Sequence, residues 1–250
     1  MLATVLIFLA AFGTALTLER MAHRRLQEAC ILLTGNVELA TALYAVVLLP
    51  GVALHEVSHA LMAALLGVRV RRLSLRPERH RGGAIRLGYV EVLRSDALRS
   101  SLIGAAPLFA GLAALSAIGM LVFDLEAMQL AVSEVSLAAL ADALLALPRA
   151  TDSWLWIYLA FAIANSMMPS ASDVQAWPTL LAGLAVLAVV ALALGGAPAW
   201  AAIAPLVLSM LRWLTAIFLL TACINVMAVV ALRLAAVLVE ALTGRRVEFR

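Results

Sequence analysis

Tyr44-Ala-Val-Val-Leu-Leu-Pro-Gly-Val-Ala-Leu-His55-Glu56-Val57-Ser58-His59-Ala-Leu-Met-Ala-Ala-Leu-Leu66 is an apolar run with three ionisable side chains at its centre. Each such group costs roughly 2.5 to 3.5 kcal/mol in the middle of a membrane helix, so its presence there points to function. On a helix, residues four apart share a face. Both imidazoles can therefore reach one metal ion while Glu56 reaches a water bound to it. This spacing suits zinc and hydrolysis. The bland alternative is a pair of core histidines held by Ser58 or by backbone carbonyls, with Glu56 protonated or paired.

Outward from this run, 65% of the 250 residues are hydrophobic and 13% are charged. An ordinary soluble domain is nearer half apolar, so the composition predicts an integral, multi-pass membrane protein in contact with the lipid bilayer. At about 20 residues per crossing, the length leaves room for roughly six transmembrane helices and excludes a sizeable soluble domain. Cys30 and Cys223 are far apart and neither has a partner at ligand spacing, so both read as reduced or merely packed.

The expected fold class is all-α and polytopic, with a small β-hairpin at the membrane surface. Residues 1–36 form a first transmembrane helix, Met1 to Leu18, and a charged loop, Glu19 to Asn36. The run from Val37 to Leu66 is one kinked helix, or a short lead-in and a helix starting at Pro50, and Gly67 is its stop. Residues 68–92 alternate apolar and polar around a Pro77 to Gly83 loop, which predicts the hairpin. A crossing at 98–123, an acidic interfacial helix at 124–152 and an apolar helix within 154–177 complete a core spanning 37–177. The C-terminal segment 178–250 adds a crossing at Leu180 to Leu194, a turn at Gly195 to Pro198, an interfacial break at Arg212 and Trp213, a last span from Leu214 to Val237 and a basic tail.

The chain has no lysine, and nine of its 18 basic residues lie between Arg69 and Arg99. Beside membrane helices such a cluster marks a cytoplasmic segment rather than a nucleic-acid surface, so no nucleic-acid partner is expected. This puts the hairpin and the C-terminus on the cytoplasmic side. The three arginines of the Glu19 to Asn36 loop then lie outside, against the rule, but nine outweigh three.

Hydrolytic zinc usually has three protein ligands and keeps one position for water, so His55 and His59 require a third. Asp173 is the candidate because it follows an apolar helix and sits in the helix-breaking stretch Pro169 to Pro178, where irregular backbone at membrane depth must line protein or a wet cavity. The alternative is a simple turn with a helix cap at the membrane edge.

An HExxH in a membrane helix, then a hairpin, a Gly104-Ala-Ala-Pro-Leu108 helix start and Asn165-Ser-Met-Met-Pro169-Ser-Ala-Ser-Asp173-Val174 resemble, in order and spacing, the site-2 protease family of intramembrane zinc metalloproteases. The family motif is Asn-x-x-Pro-x-x-x-x-Asp-Gly. Here the Asn-to-Asp interval is kept, Pro169 stands one position late, and Val174 replaces the glycine. The resemblance covers Val37 to Trp177. It implies one zinc ion per chain held by His55, His59 and Asp173, with Glu56 as the general base. It also implies that Asn165 contacts substrate backbone or a developing oxyanion, although a buried Asn bonded to a neighbouring helix is as plain a reading. The substrate would be a single-pass or short membrane protein, cleaved to release a cytosolic fragment, and the expected location is a prokaryotic cell membrane. A helical substrate must unwind to be cut, and an edge strand can accept its freed backbone groups. Tyr89, Val90, Glu91 and Val92 are the expected edge; a hairpin that only caps the membrane face is the alternative. Oligomeric state has no sequence signal. The competing readings are a non-catalytic zinc-binding scaffold, which has no need of Glu56, and a prenyl-protein endopeptidase, whose third ligand would be a later glutamate.

Overall fold

The computed structural model describes residues 1–79, 85–93, 95–149, 151–168, 170, 172–175 and 177–244. Of the features expected from sequence, the tip of the 68–92 hairpin, Pro169 and the basic tail beyond Gly244 lie outside the described residues.

The first helix, α1 (Leu2–Thr34), is 33 residues long and not the expected 18, so the expected loop is helical from Glu19 to Thr34. Nothing between Leu18 and Thr34 breaks helical geometry, and its buried Glu28 is paired locally, with Arg25 Nη1 2.6 Å away. The chain turns at Gly35, whose φ of 63° is the left-handed conformation that glycine adopts without a Cβ clash. Asn36 then caps α2 (Val37–Leu65), its Oδ1 accepting the backbone N–H groups of Glu38 and Leu39. Pro50 lies inside α2, which makes the run one helix, and Gly67 is the stop. The His23 ring and the Tyr44 hydroxyl, 2.6 Å apart, join α1 to α2.

The hairpin forms as expected. Strand β1 (Val70–Ser74) pairs antiparallel with β4 (Tyr89–Val92), with Ser74 opposite Tyr89 and a register irregularity between Val70 and Arg72. Within it β2 (Glu78–Arg79) pairs with β3 (Ile85–Arg86). α3 (Ala97–Val122) follows. The 124–152 region is two short helices, α4 (Leu125–Ser133) and α5 (Leu137–Ala146), with a 3-10 turn at Leu147–Arg149. They are parted at Val135, which takes φ 55°, and capped by the side chains of Asp124 and Ser136.

α6 (Ser153–Ala164) and α7 (Trp177–Thr243) end the fold. α7 breaks at Gly196, φ 55° and ψ −149°, within the expected Gly195 to Pro198 turn. The expected break at Arg212 and Trp213 is absent: Trp200–Thr243 is a continuous helix of 44 residues. Among the described residues, four helices are long and apolar enough to cross a membrane: Leu2–Thr34, Val37–Leu65, Ala97–Val122 and Trp200–Thr243. The expected six crossings are therefore not supported. α6 has 12 residues, which at 1.5 Å per residue reach about 18 Å of a hydrocarbon core roughly 30 Å thick.

The helices share one apolar core. Phe218 of α7 packs against Phe8 and Phe12 of α1, with ring centroids 6.0 and 5.1 Å away, and Glu28 meets Arg233 further along, so the two helices run side by side in one direction. α2 touches α3 and α6 with little between them. A Cβ on Gly51 would fall 1.9 Å from the Ala162 carbonyl oxygen, so this close approach requires glycine.

Candidate metal centre

His55 and His59 lie on adjoining turns of α2, their rings edge to face with centroids 4.9 Å apart. Each is held by its Nδ1. For His55 the partner is the backbone oxygen of Ser166, at 2.7 Å; for His59 it is that of Ile103, at 2.8 Å. A carbonyl oxygen can only accept, so both Nδ1 atoms carry the proton and both Nε2 atoms are the ones turned toward Asp173. Fixing the tautomer in this way is what the outer partners of metal-binding histidines do.

Asp173 arrives from the stretch after α6. Its Oδ1 lies 3.3 Å from His59 Nε2 and its Oδ2 3.8 Å from His55 Nε2. One donor atom from each of the three residues falls within 4.8 Å of the others, so the group can hold a metal ion. A tetrahedral zinc with bonds of about 2.1 Å keeps its ligand atoms about 3.4 Å apart, and the two histidine-to-carboxylate spacings bracket that value. The donor set of two imidazoles and one carboxylate suits zinc equally well.

Gly104 and Ser170 fix Asp173 in place. A Cβ on Gly104 would sit 2.1 Å from the Asp173 backbone oxygen, so α3 presses directly on this residue. The Ser170 N–H donates to Asp173 Oδ2 at 2.7 Å. Val174, where the motif carries glycine, continues the turn, its N–H reaching the Ser170 oxygen at 3.3 Å.

Glu56 is buried and lines the same cavity as the three candidate ligands, a space of about 660 Å³. Gly88 packs on it from the hairpin: a Cβ there would lie 2.9 Å from Glu56 Cγ. Tyr89, Val90 and Val92 line this cavity, whereas Glu91 is exposed and does not. Among the described residues β4 pairs with β1 alone in its two-stranded sheet. Arg72 lies over the Tyr89 ring, 5.4 Å from its centroid. At the rim, Asp96 caps α3. The Arg99 backbone N–H that it accepts at 2.9 Å, together with the nearby guanidinium, holds its carboxyl below the ordinary carboxylate range.

Asn165 is not brought to the cavity. It is buried, and its Nδ2 donates to Phe161 O and to Asn225 Oδ1 of α7, both at 2.8 Å. The geometry is therefore the helix-joining one rather than a substrate contact. Its partner Asn225 is a residue that the sequence reading passed over, although an asparagine inside the apolar run Ile217 to Leu232 is a signal in itself. The carbonyls of Ser166 and Ile103 carry no such signal, because any residue type supplies one.

Searches of family models, curated proteins and solved structures found no match to this chain.

Proposed function

We propose that the chain is an intramembrane zinc endopeptidase that hydrolyses peptide bonds in or near transmembrane segments of single-pass or short membrane proteins. The observation that carries this reading is the convergence of two Nε2 lone pairs and the Asp173 carboxylate on one cavity that also holds Glu56. Zinc held there would supply a Lewis acid and would lower the pKa of a bound water to about 7.

The chain's own residues divide the remaining work. Glu56 accepts the proton of the attacking water and returns it to the leaving nitrogen. Ser166 and Ile103 hold the imidazoles through Nδ1, and Gly104 and Ser170 hold Asp173. Strand β4, whose Tyr89, Val90 and Val92 line the cavity, receives the unwound substrate backbone by strand addition. With the arginine-rich hairpin on the cytoplasmic face of the membrane, cleavage releases a cytosolic fragment, as in regulated intramembrane proteolysis. A zinc-binding scaffold would not need a buried carboxylate beside the ligands.

The test is co-expression of candidate membrane substrates with wild type and Glu56→Gln. Loss of the general base should slow cleavage about 10²- to 10⁴-fold while zinc stays bound. Equal cleavage by both forms, or no product from wild type across a membrane-proteome comparison, would rule the protease reading out.

A further inference from the structure

Arg212 stands in the long apolar helix Trp200–Thr243, where the other arginine is Arg233. Their separation of 21 positions corresponds to about 31 Å of helix, close to the roughly 30 Å of a bilayer's hydrocarbon core. A bilayer crossed by this helix would meet the two arginines at its two edges, and Trp213 gives Arg212 the aromatic neighbour common at that depth. Their surroundings differ. Arg233 Nη1 reaches Glu28 at 3.5 Å, whereas Arg212 Nε is buried with no hydrogen-bond partner. A buried donor left this way is costly, and more so on a charged group.

Arg212 also lines a cavity of about 340 Å³ between α4 and α7, together with Glu126, Gln129, Leu130, Ser133 and Ser209. One cation, one anion and three neutral polar side chains thus share a space at headgroup depth. Exposed apolar side chains adjoin it: Leu130 and Met210 are 62% and 57% exposed. We infer that this cavity binds the headgroup of a phosphatidylethanolamine-type phospholipid. Arg212 takes the phosphate and Glu126 the ammonium, while the acyl chains lie along Leu130 and Met210. Glu126 disfavours a purely anionic headgroup by like-charge repulsion. The ethanolamine ammonium can donate hydrogen bonds to a carboxylate, and the quaternary nitrogen of choline cannot. The site shares no lining residue with the candidate metal centre and rests on none of its chemistry.

Native mass spectrometry of the full chain, purified and titrated with phosphatidylethanolamine, phosphatidylcholine and phosphatidylglycerol, tests the inference. Wild type should retain phosphatidylethanolamine in preference to the other two. Arg212→Gln should weaken its retention about tenfold or more, the loss expected for one charge-assisted hydrogen bond. Glu126→Gln, on an exposed residue, should fold normally and lose the preference over phosphatidylglycerol, so the inference stands or falls on this variant if Arg212→Gln does not fold. Equal retention of all three lipids by wild type, unchanged retention in Arg212→Gln, or a preference unaltered in Glu126→Gln would overturn it. Displacement of the lipid by excess inorganic phosphate would also overturn it, by showing a phosphate site rather than a lipid one.

Discussion

Gly104→Ala is a small change with a large expected effect at a distance from the metal ligands in sequence. The added Cβ would meet the Asp173 backbone oxygen at 2.1 Å, where ordinary contact begins near 3.4 Å, so the two backbones must part by about 1.3 Å. Zinc tolerates only about 0.2 Å of variation in its ligand distances. The displacement is several times that, and the three nearest atoms in its way are all Asp173 backbone, which cannot swing aside as a flexible side chain does. Helix α3 itself should not suffer, because alanine is favoured over glycine inside a helix by up to about 1 kcal/mol. Zinc affinity should therefore fall by at least the 10- to 100-fold typical of disturbed outer support, with the chain still folded. Competition for zinc against a chromophoric chelator measures the affinity, and circular dichroism on the same sample measures the fold. Gly183→Ala is the control, since a Cβ there meets nothing within 4 Å. Wild-type zinc affinity in Gly104→Ala would refute the argument that α3 sets the position of Asp173.

Two further outcomes follow from the same geometry. Chelation should lower the thermal stability of the wild type, because a ligand at about a thousand times its Kd contributes roughly 4 kcal/mol to the folded state. Asp173→Ala should show no zinc-dependent shift in Tm, and a shift equal to wild type would exclude Asp173 as a ligand. Asn225→Leu should cost about 0.6 to 1.7 kcal/mol, the range for a hydrogen bond between membrane helices, since it takes an acceptor from the buried Asn165 amide. Zinc stoichiometry should be unchanged, and an unaltered Tm would show that the bond carries no stability.

By itself the sequence determined the membrane class, the hairpin and the helix that presents His55, Glu56 and His59. These follow from apolar content, from alternation and from a four-residue spacing, all properties of neighbouring residues. It also singled out Asp173, because an acid in a helix break after an apolar run is rare enough to notice. It misjudged what depends on a neighbouring helix. The charged stretch Glu19 to Thr34 reads as a loop until Glu28 is seen buried against Arg25 and, across the core, Arg233. Arg212 reads as a break until α7 is seen to continue past it. Asn165 stays open between a substrate contact and a helix-joining bond until Asn225 is seen beside it. Only the tertiary structure decided which imidazole nitrogens are left to face Asp173, because the groups that settle it are backbone carbonyls 44 and 111 residues away from the histidines. It likewise decided that Gly51, Gly88 and Gly104 are contact points, since a glycine's role there is the space it leaves for another chain segment. Local pattern gives residue type and spacing; a site assembled from separate helices also needs the distances that packing alone supplies.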